Sequence, residues 1–168
     1  MTGSSSSARR ICVDLSDRNC GIPFARGGDV TNPLGAFYLG AFGNNYVDEG
    51  EVKRYRDYDR FPGFGIDAIA ARRFAKAMVE LNLPPLRFGG VGTPNFFLSS
   101  MRPAIFSGLL YADPGLAPIR TLGNVGAQVD WNFTVALRLP MVLSIGYAAG
   151  LESGHPEHNE VMLSLKIL

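Results

Sequence analysis

The sequence predicts an all-β fold, an antiparallel meander of about six or seven long strands. The strongest sign is a period of two over residues 125–139, where every odd-numbered residue is apolar and most even-numbered residues are polar. Glycine (20 residues) and proline (11 residues) are frequent, whereas charged residues make up only 18% of the chain. Frequent turn residues and few charges are typical of sheet strands joined by turns.

Two further strands are predicted after residues 125–139. A turn at Leu139 and Pro140 leads into residues 141–152, which alternate between larger apolar and small side chains. The polar residues 153–160 form a loop, and residues 161–167 alternate again. Because a tight turn and one loop join these segments, we expect the last three strands to be antiparallel neighbours.

Earlier strand candidates carry weaker patterns. Residues 104–112 and 34–42 are apolar runs of strand length, and residues 11–15 alternate over a short stretch. Residues 47–60 hold charges of both signs in close succession, which predicts a solvated loop. The sequence before residue 31 is otherwise poorly patterned.

Residues 66–83 fit two kinds of secondary structure. Their alanine content and the helical spacing of their apolar residues after Asp67 favour a helix. The same stretch has an apolar face at every second residue, broken by Arg73, with Lys76 and Glu80 opposite, as in a strand. The pattern leaves both open, and propensity favours the helix.

Composition argues against several classes of function. A formal net charge of +1 offers no basic excess for a nucleic-acid partner. No motif places a nucleophile, a paired acid and base, a metal-ligand set or a phosphate-binding loop, so we predict no enzyme activity, no cofactor and no metal site. Residues 1–8 show no apolar signal-peptide region.

An apolar strand face as long as residues 125–139 must be covered by lipid or by a protein core. Long strands, aromatic residues along apolar faces, and short turns alternating with longer polar loops all favour a transmembrane β-barrel. Six or seven strands fall short of the smallest bacterial outer-membrane barrels, which begin at about eight strands. We therefore expect this chain to be the C-terminal part of a longer barrel.

Two stretches carry a resemblance to a known family. Residues 61–88 and 126–152 resemble the C-terminal barrel of the bacterial surface-antigen superfamily, which includes barrel-assembly and two-partner-secretion proteins, and are still more similar to barrels that follow bacterial β-propeller domains. Pro62, Gly63 and Phe64 stand at the family's loop motif, with Pro62 in place of its arginine. Residues 80–84 stand at the end of the strand that follows this loop in the family.

The resemblance implies a bacterial outer-membrane protein in which residues 1–30 precede a barrel segment at 31–168, and residues 66–83 form a strand. It implies a role in membrane anchoring or in protein insertion and secretion, with the lipid bilayer and the remaining strands of an upstream polypeptide as partners. The expected lumen-facing residues are Lys76, Glu80, Gln128, Asp130, Asn132 and Arg138. The expected lipid-facing residues are Val129, Trp131, Phe133, Val135, Leu163, Leu165 and Ile167.

Two alternatives stay open at the level of sequence. The first is a small soluble β-sandwich or ligand-binding barrel, because alternation is shared by soluble sheets. The second is a non-catalytic C-terminal domain of a larger hydrolase-type protein. Dependence on detergent for solubility separates the membrane barrel from the soluble alternatives.

Overall fold

The computed structural model describes residues 13–14, 20–29, 36–42, 53–56, 59–93, 95–115, 118–136, 138–152 and 158–167. Within these residues the fold is all-β, and the helical part is a single 3-10 turn, Arg54–Arg56. The predicted all-β antiparallel class is confirmed. None of the described residues belongs to a helix long and apolar enough to cross a membrane.

Eleven strands make up the described part of the fold. In chain order they are β1 (Val13–Asp14), β2 (Cys20–Asp29), β3 (Phe37–Leu39), β4 (Ile69–Ala71), β5 (Arg73–Asn82), β6 (Leu86–Arg87), β7 (Gly92–Thr93), β8 (Phe96–Asp113), β9 (Arg120–Val135), β10 (Leu139–Glu152) and β11 (His158–Ile167). The main sheet has the order β1-β2-β5-β8-β9-β10-β11, with β6 and β7 pairing with β8 beyond the end of β5. Strands β3 and β4 form a separate pair, and among the described strands β1 and β11 are the two edges of the main sheet.

Strands β9, β10 and β11 are consecutive antiparallel neighbours, as the sequence predicts. The turn between β9 and β10 includes Ala136 and Arg138, however, and does not lie at Leu139 and Pro140, because Pro140 lies within β10 opposite Thr134. Ala136 takes a φ of +49° in this turn, a conformation usually filled by glycine or asparagine. Because alanine is not a typical turn residue, the residue types in this segment do not mark the position of the turn.

Residues 66–83 contain strands and no helix, so the preference for a helix is wrong. Strand β4 ends at Ala71 and β5 begins at Arg73, with the Arg72 N–H donating to the Asp113 carbonyl between them. Strand β5 is paired along its length with β2 on one side and β8 on the other. These pairings outweigh the helix propensity of the alanines, because strand preference depends on neighbouring strands.

The N-terminal third of the chain departs most from the sequence-based expectations. Strand β2 lies in the segment that we found poorly patterned, since its four glycine and proline residues are depleted in strands. Of the candidate at 34–42, the described residues 36–42 contain one strand, β3, which pairs with β4 outside the main sheet. The candidate at residues 11–15 is described only at β1, and residues 1–12 lie outside the described residues.

The two faces of the main sheet differ in what covers them. The inner face carries Lys76, Phe106, Gln128 and Ala148, which are all buried. It is covered by the inner segment, defined here as the described residues 36–42, 53–56 and 59–71, which supply Leu39, Phe42, Tyr55, Phe61, Phe64 and Ile69 to the hydrophobic core. The outer face, on the opposite side, is covered by no described part of the chain.

Candidate functional site

The outer face is apolar and exposed across five strands. On β8 to β11 the only charged residue of this face among those described is Asp113, the last residue of β8. Large apolar side chains at least 42% exposed lie on β5 and on β8 to β11: Val79, Leu81, Phe96, Ile105, Leu109, Tyr111, Val125, Leu139, Ile145, Tyr147, Leu151, Val161, Leu163, Leu165 and Ile167. An apolar surface of this kind is suited to a nonpolar environment.

Two polar groups on the outer face are satisfied within the protein. The Ser107 hydroxyl donates to the Asn124 carbonyl at 3.0 Å, and the Tyr147 hydroxyl donates to Asn159 Oδ1 at 3.0 Å. At the other end of the sheet, the rings of Phe96 and Phe133 pack with their centroids 5.3 Å apart. These groups do not require water as a hydrogen-bond partner, so the outer face tolerates an environment without water.

All seven residues expected to face lipid lie on the outer face, including Trp131 and Phe133 on β9 and Leu163 on β11. Of those expected to face the lumen, Lys76, Glu80, Gln128 and Asp130 are buried on the inner face. Asn132 lies on the same face and is half-buried. Arg138 is exposed in the turn between β9 and β10, where the chain has left the sheet, and therefore does not lie on the inner face.

Glu80 is the centre of an ion-pair cluster between β5 and the inner segment. Its side chain is fully buried and accepts from Lys53 Nζ at 2.9 Å. Arg56 binds both of its carboxylate oxygens, through Nε at 2.8 Å and Nη2 at 2.8 Å. Lys53 Nζ also bonds Asn82 Oδ1. Because two cations share one buried carboxylate, this cluster fixes residues 53–56 to the sheet.

Lys76, separated from Glu80 by Met78 on the inner face of β5, binds the backbone of the inner segment. Its ammonium donates to the Tyr55 carbonyl at 3.4 Å and to the Arg60 carbonyl. The Tyr55 ring stacks on Phe106 with centroids 4.2 Å apart. Burial, and secondly the charge of Glu80, raise the pKa of the Tyr55 hydroxyl, which stays protonated. The expectation of a solvated loop at 47–60 is therefore wrong for its described part.

The loop motif Pro62, Gly63 and Phe64 is buried against the inner face. The Gly63 N–H donates to Glu160 Oε2 at 3.0 Å, and the Phe42 N–H donates to Glu160 Oε1 at 2.9 Å. The carbonyl of Pro62 accepts from Asn124 Nδ2 at 2.8 Å. The inner segment is thus bound to β9 and β11 as well as to β5.

Small residues on the inner face make room for aromatic rings. A Cβ at Gly146 would lie 3.0 Å from the Phe42 ring, and a Cβ at Gly150 would lie 2.8 Å from the Phe64 ring. Gly126 lies directly against the ring of Phe106. These glycines explain why the even-numbered positions of residues 141–152 are small: they are the contact surface for the inner segment.

Gly63→Ala is expected to destabilise the fold by about 1 to 3 kcal/mol. Gly63 has a φ of +94°, and an added Cβ would lie 2.5 Å from the Gly150 amide nitrogen. Gly65→Ala is the matched control, because its nearest neighbour would be Ala68 Cβ at 3.6 Å. Urea unfolding of the two variants measures the difference, and equal stability would contradict the buried position of the motif.

Sequence reasoning missed Asn124 and Glu160, although their positions in the alternation of β9 and β11 place them on the inner face. It also missed Lys53, Tyr55 and Arg56, because no pattern in residues 47–60 indicates burial. Among the described residues no group of three or more His, Cys, Asp or Glu side chains is placed to hold a metal ion. Comparison of the chain with protein-family models, with curated proteins and with solved structures finds no match.

Proposed function

We propose that this chain is a wall section of a transmembrane β-barrel of the bacterial outer membrane, similar to the barrels of the surface-antigen superfamily, and that it serves as a membrane anchor. One observation carries the proposal. Five successive strands of the main sheet expose an apolar outer face, on which Asp113 is the only charged residue described on β8 to β11, and the buried polar and charged side chains lie on the inner face. A bilayer is the environment that suits this distribution.

The size of the outer face supports lipid as its covering. With strands about 4.8 Å apart, apolar over about 33 Å on β8, β9 and β10 and over about 20 Å on β5 and β11, the outer face forms a patch of about 670 Å². The largest apolar patch on a typical soluble monomer is about 300 to 600 Å². A soluble β-sandwich has the reverse arrangement, with apolar residues packed between its sheets and polar residues outside. The patch therefore favours the membrane over the soluble alternative.

The length of the strands supports a transmembrane position. From Met101 to Tyr111 on β8 the outer face runs for about 33 Å at about 3.3 Å per residue. At a strand tilt of about 40°, this length spans about 25 Å along the membrane normal, which matches the apolar band of outer-membrane barrels. Trp131 and Phe133 near one end and Tyr111 near the other suit the two aromatic girdles.

Open edges require partners in a membrane. No described strand pairs with β11 on the side away from β10. Unpaired backbone groups in lipid cost several kcal/mol each, so a membrane sheet must close. The proposal therefore includes further strands of the same barrel that pair with β11 and with the β1 end of the sheet.

The packed inner face favours anchoring over transport through the barrel. Phe42, Tyr55, Phe61 and Phe64 of the inner segment are fully or almost fully buried against the sheet. The ion pairs of Glu80 and the hydrogen bonds of Glu160 hold this segment in place. An inner face packed by the protein's own chain is suited to a structural role, that of holding a protein to the membrane.

Extraction and gel mobility test the proposal. The full chain, refolded in the presence of detergent or short-chain phosphatidylcholine vesicles, is expected to show a β-sheet circular dichroism spectrum only with these additives. We expect it to resist a urea wash when vesicle-bound and to migrate faster on a gel before boiling than after. A folded, monodisperse monomer in detergent-free buffer would overturn the proposal.

A further inference from the structure

A cavity of about 480 Å³ lies on the inner face near the end of β5. Six polar or charged side chains contribute to its wall: Lys53, Arg56, Asn82, Arg102, Asp130 and Asn132. The volume is within the range of pockets that bind small organic molecules, about 300 to 1,000 Å³. The cavity is lined by residues of β5, β8, β9 and β10, by Lys53 and Arg56 of the inner segment, and by Leu83 and Pro85.

The charges around the cavity do not cancel. Lys53, Arg56 and Arg102 are three cations, and Asp130 in the wall with Glu80 behind it are two carboxylates, which leaves an excess of one positive charge. Asp130 Oδ1 accepts hydrogen bonds from Gln128 Nε2 at 2.6 Å and from the Ser144 hydroxyl at 2.7 Å. Its carboxylate is therefore engaged with neutral donors of the sheet.

Arg102 is the cation with the most free donors. It stands opposite Asp130 in the register of β8 and β9, yet it forms no ion pair with any described residue. Its side chain lies on the inner face and is exposed to the cavity. A guanidinium offers five N–H donors in a planar arrangement that matches a carboxylate or a phosphate.

We propose that this cavity binds a small organic anion through a carboxylate or phosphate group, with Arg102 as the residue that contacts the anionic group and Lys53 beside it. The negative charge of Asp130 repels an anionic ligand and lowers the affinity of the cavity for it. The proposal needs only the described sheet and inner segment. It is thus independent of whether lipid covers the outer face.

Calorimetric titration of the folded full chain with citrate, glucose 6-phosphate and glucose tests the site. We expect heat of binding with one or both anions and none with glucose, and a weaker affinity at higher salt. Tighter binding of citrate would indicate that the site prefers a carboxylate, and tighter binding of glucose 6-phosphate would indicate that it prefers a phosphate. Equal binding would indicate that the site recognises the negative charge that both ligands carry. The titration is done in detergent or in buffer, whichever gives the β-sheet spectrum.

Three variants locate the binding. Arg102→Gln is expected to weaken anion binding by about 10-fold or more, because it removes a charge-assisted hydrogen-bond donor. Arg138→Gln, which removes an exposed arginine from the β9–β10 turn, is the matched control and leaves the affinity unchanged. Asp130→Asn keeps an acceptor for Gln128 and Ser144 and is expected to strengthen binding. No binding by the parent chain, equal loss in both arginine variants, or weaker binding in Asp130→Asn would overturn the proposal.

Discussion

Replacing Ile145 by arginine is expected to destabilise the chain folded into a bilayer by about 2 to 4 kcal/mol. Ile145 lies on the outer face in the middle of β10, between Val129 of β9 and Leu163 of β11. In the proposed barrel this position lies in the hydrocarbon core of the bilayer, where a charged side chain on the outer face has no water around it. Urea titration of the chain folded into short-chain phosphatidylcholine vesicles measures the loss.

Leu139→Arg is the matched control for this prediction. Leu139 shares the strand and the outer face, and its exposure of 49% is close to the 44% of Ile145. Leu139 is the first residue of β10 and lies near the membrane boundary of the proposed barrel. Its replacement by arginine is therefore expected to reduce stability by about 0 to 1 kcal/mol. Equal costs at the two positions would mean that water or protein, and not lipid, covers the outer face.

Glu80→Gln is expected to destabilise the folded chain by about 3 kcal/mol, because it removes the carboxylate from a buried ion pair and leaves two cations behind. Lys53 and Arg56 then face an amide with one acceptor oxygen in place of two charged oxygens. We expect residues 53–56 to detach from the sheet. Urea unfolding measures the stability, and trypsin cleavage after Lys53 or Arg56 measures the detachment.

Arg73→Gln serves as the control for Glu80→Gln. It breaks the Arg73–Asp29 ion pair between β5 and β2, in which both side chains are more than half exposed. An exposed pair contributes about 0 to 1 kcal/mol, so this variant is expected to stay stable and resistant to trypsin at Lys53. If both variants lose the same stability, the cluster around Glu80 is not buried as described.

Strand faces were predictable from the sequence because alternation is a local property. The assignment of Val129 and Trp131 to one face and of Gln128 and Asp130 to the other needs only the period of two. The choice between helix and strand for residues 66–83 needs more, since it depends on pairing with β2 and β8. Composition favoured the helix, and only the family resemblance implied the strand.

The inner segment was not predictable, because the contacts that bury it are distant in sequence. The Phe42 N–H is satisfied by Glu160, 118 positions away, and Pro62 by Asn124, 62 positions away. The charges of residues 47–60 suggest solvation, yet two of them, Lys53 and Arg56, form ion pairs with the buried carboxylate of Glu80. A charge run is buried only where the fold supplies the opposite charge, and that information is not local.

The open edge of β11 has a consequence for the chain before it meets any partner. Its apolar outer row includes Val161 and Leu163, both more than 70% exposed, beside backbone groups that no described strand pairs with. An exposed apolar edge strand is a template for aggregation. In water, we expect chains with such an edge to pair edge to edge and form insoluble sheets. On the proposed function, the yield of folded protein would then depend on a chaperone that shields β11 or on rapid insertion into the membrane.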